Sequence, residues 1–188
     1  MPTHQLHEED AVTYFVTFTC FNWLPLFEIT DTYQEVYNWF KIIEQRGARV
    51  VGYVIMPNHV HCLIYIKEGG ENLNKLVANG KRFMAYKIIK ELKLLKHKKI
   101  LAILKDGVQK NEREKGKKHK VFRLSFDAKV CYDDKMIAEK LDYIHTNPVN
   151  GKWNLVKDYA DYEHSSAGFY EDEIEDKYCN ILHFRDGL

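Results

Sequence analysis

The sequence predicts an α+β fold, a ferredoxin-like sandwich in which an antiparallel sheet carries two main helices on one face, with a C-terminal helical extension. Three observations predict it. Runs rich in β-branched and aromatic residues alternate with amphipathic stretches in the order strand, helix, strand, strand, helix, strand. The run His59–Ile66 has one wholly apolar face, Val60, Cys62, Ile64 and Ile66, as a half-buried strand requires. The chain's 188 residues, 45% hydrophobic and 13% aromatic, supply the core of one domain and argue against disorder.

Residues 11–20 are the first strand, rich in Val, Phe and Thr, with Thr13, Thr17 and Thr19 spaced by two or four. Residues 31–46 are the first helix. Val36, Trp39, Phe40 and Ile43 follow its period, Thr32 and Glu35 offer a capping box, and Gly47 supplies the stop. Residues 49–56 and His59–Ile66 are two strands joined at Pro57-Asn58. Gly69-Gly70 breaks the chain before a long helix over 72–96, whose apolar stripe is Leu73, Leu76, Val77, Met84, Ile88, Leu92 and Leu95. Residues 97–120 form a basic insertion, a short helix over 99–105 followed by a polar stretch expected to be mobile. Residues 121–126 are the expected fourth strand. Asp134–His145 is a helix burying Met136, Ile137, Leu141 and Ile144, ended by Asn147-Pro148. All 188 residues read as a single domain, closed by an acidic tail over 156–188 without clear periodicity.

The formal net charge of +1 conceals a strong asymmetry. Residues 1–74 hold 4 Lys/Arg against 9 Asp/Glu, whereas residues 75–120 hold 16 against 4, a net of +12 in 46 residues. Residues 121–155 balance at 5 and 5, and residues 156–188 hold 3 against 9. A basic block in a chain that is not basic overall is the electrostatic footprint of a polyanion, and it favours nucleic acid over a merely solvated helix face. No run of about 18 apolar residues and no signal peptide is visible, which excludes a membrane protein. Cys20, Cys62, Cys131 and Cys179 are scattered without a C-x-x-C pair, as in reduced thiols of the cytoplasm.

Two constellations carry chemistry. His59 and His61 stand at i and i+2 on a strand, so both rings leave its non-core face, close enough to grip one divalent ion. By spacing alone such a pair is more often structural. On the long helix a second stripe, Lys75, Asn79, Arg82, Tyr86, Lys90 and Lys93, suits a surface that tracks a phosphate backbone and stacks bases. It equally suits an ordinary solvated face.

Three segments carry a family resemblance: Tyr14-Phe-Val-Thr-Phe-Thr-Cys20, Tyr53-Val-Ile-Met-Pro-Asn-His-Val-His61 and Leu141-Asp-Tyr-Ile-His-Thr-Asn-Pro-Val149. From about residue 10 to residue 170, with Ser165-Ser166-Ala167 also fitting, the chain resembles the single-tyrosine HUH transposases of the insertion-sequence-200-like group, especially the REP-associated tyrosine transposases. The resemblance implies an enzyme that cleaves and rejoins single-stranded or hairpin DNA through a 5′-phosphotyrosine. His59 and His61 would bind Mg²⁺ or Mn²⁺ with one further polar ligand. It also implies a nucleophilic tyrosine shortly after a W-Q-x-x-F/Y segment. Alignment back from Tyr143 puts Phe122 and Phe126 at the aromatic positions of that segment and Asp127 at the nucleophile's place. Asp127 is then a candidate third metal ligand, Tyr132 the nearest candidate nucleophile, and Tyr86 a weaker one. The expected DNA-binding residues are Lys75, Arg82, Tyr86, Lys90, Lys93 and Arg123. The expected partners are hairpin or single-stranded DNA and, as an open alternative, a second copy of the chain. The competing readings are a module of the same fold that binds hairpins without cutting them, and an RNA-binding domain of similar topology, for which no RNP aromatic sequence is visible.

Overall fold

Four strands make the sheet: β1 (Val12–Thr19), β2 (Ala48–Met56), β3 (His59–Ile66) and β4 (Asp127–Cys131), all antiparallel, in the spatial order β2-β3-β1-β4. The computed structural model describes residues 11–186, so the polar N-terminal stretch and the last two residues of the acidic tail lie outside the described residues. Between β1 and β2 run α1 (Leu26–Thr30) and α2 (Tyr33–Gln45). Between β3 and β4 run α3 (Leu73–Leu94), α4 (Lys98–Asp106) and α5 (Lys110–Glu114), and β4 is followed by α6 (Asp134–His145) and α7 (Ala167–Glu171). Order and pairing are those of the expected ferredoxin-like sandwich.

Alternation along β3 sends Val60, Cys62, Ile64 and Ile66 to one face, where they pack with Trp39, Phe40 and Ile43 of α2 and Leu76, Met84 and Ile88 of α3. The two helices approach closely because Gly80 has no side chain. A Cβ there would stand 2.5 Å from Trp39 Nε1, whose N–H donates to the Leu76 carbonyl at 3.0 Å.

The opposite face, expected to be free, is largely roofed by α6. Ile137, Leu141 and Ile144 pack on Val51, Val54, Met56 and Leu63, with Tyr162 and Phe184 closing the cluster. The seat is Gly52, at a register shift in β2, where a Cβ would collide with Leu141 Cδ2. The open edge of β2 is covered by the C-terminal segment. The N–H of Ile55 donates to the His164 carbonyl (2.8 Å), that of Ser166 to Tyr53 (3.0 Å) and that of Leu182 to Val50 (2.9 Å). His145 points into this seam, its Nε2 2.8 Å from Ser166 Oγ, and is a structural residue.

Three local expectations are corrected. Residues 121–126 make a single bridge, Cys20 with Phe122, and the fourth strand forms later, at Asp127–Cys131. The carbonyls of Arg123, Leu124 and Ser125 are taken by the Lys81 ammonium at 2.9, 3.5 and 3.2 Å, and an ammonium that collects three consecutive carbonyls withdraws them from a ladder. Thr32 does not cap α2 with its side chain, because its hydroxyl is bonded to that of Thr30 at 2.9 Å. The polar stretch after α4 folds back on itself. Gln109 and Glu112 form a capping box opening α5, Glu112 pairs with Lys117 (2.7 Å) and Lys120 (3.8 Å), and the Lys120 N–H donates to the Leu104 carbonyl. No helix among the described residues is long and apolar enough to cross a membrane.

Candidate functional site

The Pro57-Asn58 turn delivers β3 at one end of the sheet, where His59 lies opposite Thr19 and His61 opposite Thr17 of β1. Both imidazoles project toward the α6 side, each 6% exposed, with ring centroids 4.7 Å apart and planes at 84°. Asn58 orients the first ring. Its amide N–H donates to the Trp23 carbonyl (3.1 Å), which leaves Oδ1 to accept from His59 Nδ1–H at 2.6 Å. His61 Nδ1 is bonded to Thr17 Oγ1 at 2.7 Å. On each ring, Nε2 is the nitrogen left to bind something else.

Burial lowers the His59 pKa to about 4, with a hydrogen bond from the ring to Asn147 opposing the shift and the Lys152 charge adding to it. Burial lowers His61 to about 3, with the charge of His59 adding. Both rings are neutral near pH 7, with lone pairs available. Asn147, just beyond α6, donates its amide N–H to the Tyr143 carbonyl at 2.6 Å and turns Oδ1 to His59. That oxygen can accept from a ring N–H or, beside the two neutral rings, join them in holding a cation, so His59, His61 and Asn147 form a candidate cation site.

Tyr143 completes the cluster from the last turn of α6. Its ring centroid is 5.5 Å from that of His61 and 6.1 Å from that of Phe15, which itself stacks on His61 at 5.6 Å. The side chain is 53% exposed, open to a ligand on one side while packed on the other. Lys140, one turn earlier, stands 5.1 Å over Phe15, and Arg123 lies 4.8 Å over Trp23, whose ring is 6.0 Å from His59. Lys140, Lys152 and Arg123 thus surround a small neutral centre with positive charge.

The structure separates the other expected site residues from this centre. Asp127 lies in the same cross-strand row as His61, but Thr17 stands between them, and two strand spacings amount to roughly 10 Å. Among the described residues no third histidine, cysteine or carboxylate joins the pair, and Asp127 stands apart from it. Tyr132 follows Cys131, which pairs with Thr13 at the far end of β1. It is 71% exposed and does not reach the histidines. The residues that do are Tyr143 and Asn147, neither of which the sequence singled out. A spacing of four puts them on one helical face and His145 on another.

Of the expected DNA-binding residues, Lys75, Arg82, Tyr86, Lys93 and Arg123 line one groove between α3 and the 115–126 segment. Lys90 does not. At 100° per residue it is turned about 60° from the Lys75–Lys93 line, on the side away from the groove.

No protein-family model matches the chain. It is 28% identical over 133 residues to a Haemophilus influenzae protein described as a REP-associated tyrosine transposase, covering 70% of this chain and 68% of that protein. Among solved structures it matches a REP-associated tyrosine transposase bound to a REP hairpin, with a TM-score of 0.59 and 17% identity over 100% of this chain and 98% of the other, which is a likeness of fold. A Deinococcus radiodurans protein described as a transposase overlaps with a TM-score of 0.36 at 13% identity, over 78% of this chain and 97% of that one, too low to bear on the fold.

Proposed function

We propose that the chain belongs to the REP-associated tyrosine transposase family, that it binds hairpin-forming single-stranded DNA, and that it cuts and rejoins it through Tyr143. The observation that carries this reading is the convergence of His59, His61, Asn147 and the half-exposed Tyr143 at one end of the sheet. In the forward step the Tyr143 hydroxyl oxygen bonds to the scissile phosphorus and the bond from phosphorus to the 3′ oxygen breaks. That oxygen takes a proton from solvent and leaves as a 3′-hydroxyl, and the phenol proton passes to solvent, which the exposure of Tyr143 admits. The product is a 5′-phosphotyrosine. Attack by a 3′-hydroxyl reverses the step without an external energy source. Lys140, Lys152 and Arg123 hold the phosphate backbone against the cluster.

His59, His61 and Asn147 would hold Mg²⁺ or Mn²⁺, which when bound polarises the phosphate oxygen and offsets its developing charge. Two imidazoles favour the softer Mn²⁺ over Mg²⁺, and the amide oxygen suits either. Titrating Mn²⁺ while following its free electron paramagnetic resonance signal should show one site in the wild type, lost in His59→Ala and in His61→Ala and weakened about tenfold or more in Asn147→Ala. A stoichiometry unchanged in both histidine variants would remove the pair from metal binding. The unpaired cysteines agree with a cytoplasmic location. All the groups named come from one chain, so the cleavage step needs no residue from a second copy.

The deciding experiment incubates the protein with hairpin single-stranded DNA and Mn²⁺ and looks for a covalent adduct that resists denaturant. Chelation with EDTA should abolish it. If hairpin DNA binds and no adduct forms under any divalent ion, the chain is a hairpin-binding module and not an enzyme.

A further inference from the structure

The groove between α3 and residues 115–126 encloses about 1090 Å³, above the ~300–1,000 Å³ typical of a site for one drug-sized ligand. Its rim is cationic on both sides, with Lys75, Arg82 and Lys93 on one and Lys118 and Arg123 on the other, while Ile89 and Phe126 supply an apolar floor. No carboxylate among the described residues lines it. Tyr86 stands in the rim with 67% of its surface exposed, so its ring is open to stacking by a base. The wall opposite α3 is built in place, since Lys81 ties three of its successive carbonyls to the helix.

A duplex presents phosphates outward and hides the faces of its bases, so it can use the rim but not the floor or the exposed ring. A single strand can use all three, with phosphates on the cations and bases against Tyr86 and the apolar floor. The groove also leads somewhere. Arg123 belongs to its wall and lies over Trp23, and Trp23 meets His59 edge-on, so the cationic surface runs around the end of the sheet to the histidine pair. We propose that this groove holds the unpaired DNA segment flanking the hairpin and guides it over Trp23 to the cleavage site. The assignment rests on the reading of the chain as a hairpin-processing protein and adds where the single strand lies.

The test compares three fluorescent DNAs by anisotropy: a blunt hairpin, the same hairpin with a ten-nucleotide oligo-dT tail, and the free ten-nucleotide oligo-dT. In the wild type the tail should tighten hairpin binding roughly tenfold. Tyr86→Ala should remove most of that gain, as expected for the loss of one stacked base. Lys93→Gln with Lys118→Gln should lower the salt slope of the tailed hairpin by about 1.4, at about 0.7 per single-strand phosphate contact. Blunt-hairpin affinity should stay within about twofold in both, with circular dichroism confirming the fold. No gain from the tail in the wild type, or equal weakening of blunt and tailed hairpins by the variants, overturns the proposal and makes the groove a duplex surface or no DNA site. If the wild type binds no hairpin yet binds oligo-dT in a Tyr86-dependent way, the groove assignment stands and the hairpin reading fails.

Discussion

Replacing Tyr143 with phenylalanine should remove the covalent DNA adduct and slow strand cleavage by about 10³-fold or more, a barrier increase of about 4 kcal/mol, while hairpin affinity should stay within about twofold. The variant deletes one oxygen and keeps the ring, so the edge contacts with Phe15 and His61 survive and the histidine pair keeps its surroundings. The basic residues around the site, to which hairpin binding is assigned under the proposed function, are untouched. Tyr132→Phe serves as the contrast. Tyr132 lies at the far end of β4, beyond the residue paired with Thr13, and its loss should leave adduct yield unchanged. Proteolysis of the adduct followed by mass spectrometry should place the nucleotide on the peptide containing residues 141–152. An adduct that forms as well in Tyr143→Phe as in the wild type refutes the assignment and returns the search to the other tyrosines.

Gly52→Val is expected to lower the unfolding free energy by about 3 kcal/mol and to reduce cleavage more than binding. A side chain at Gly52 points into Leu141 Cδ2 and comes within 3.2 Å of Ser166 Oγ, so α6 must lift from β2 or Leu141 must leave its place. Since α6 also carries Tyr143, lifting it moves the hydroxyl away from His61, whereas α3 and its groove are on the other face of the sheet. Gly52→Ala should cost only about 1 kcal/mol, because the end of Leu141 can rotate away from a single methyl group. The decisive comparison is the double variant. Leu141→Ala alone should cost about 3 kcal/mol by leaving a cavity, yet in the Gly52→Val background it should cost much less, since the valine fills part of the space. Urea titrations of the four proteins measure this coupling. Additive costs would mean that the two positions do not share a volume.

What the sequence discloses depends on how local the cause is. The strands at 12–19, 48–56 and 59–66 follow from side-chain alternation and turn residues, and the structure gives them within a residue or two. The fourth strand was misplaced because its boundary depends on Lys81, more than forty residues away, whose ammonium holds the carbonyls that would otherwise enter a ladder. The histidine pair was legible from spacing, whereas its partners were not. Asn58 and Thr17 orient the rings by contacts across a turn and between strands. Tyr143 and Asn147 reach the rings only because α6 folds back over the face that alternation had left open. Within α3, helical geometry separates Lys90 from the groove, a distinction that a list of basic positions does not make. The folded insertion was missed for a related reason, since Glu112 neutralises lysines that read as a solvated run.

The segment that covers the edge of β2 has an electrical consequence. Residues 156–186, at 3 Lys/Arg against 9 Asp/Glu, lie along one margin of the sheet, while the block at 16 against 4 flanks the groove toward the other, three strand spacings or roughly 14 Å away. The molecule therefore carries a standing dipole despite its near-zero total charge. A polyanion approaching by diffusion is attracted to one margin and repelled by the other, so the protein is turned before contact with its groove leading. Ionic strength then acts chiefly on how often encounters are productive, through a field that neither margin would produce alone.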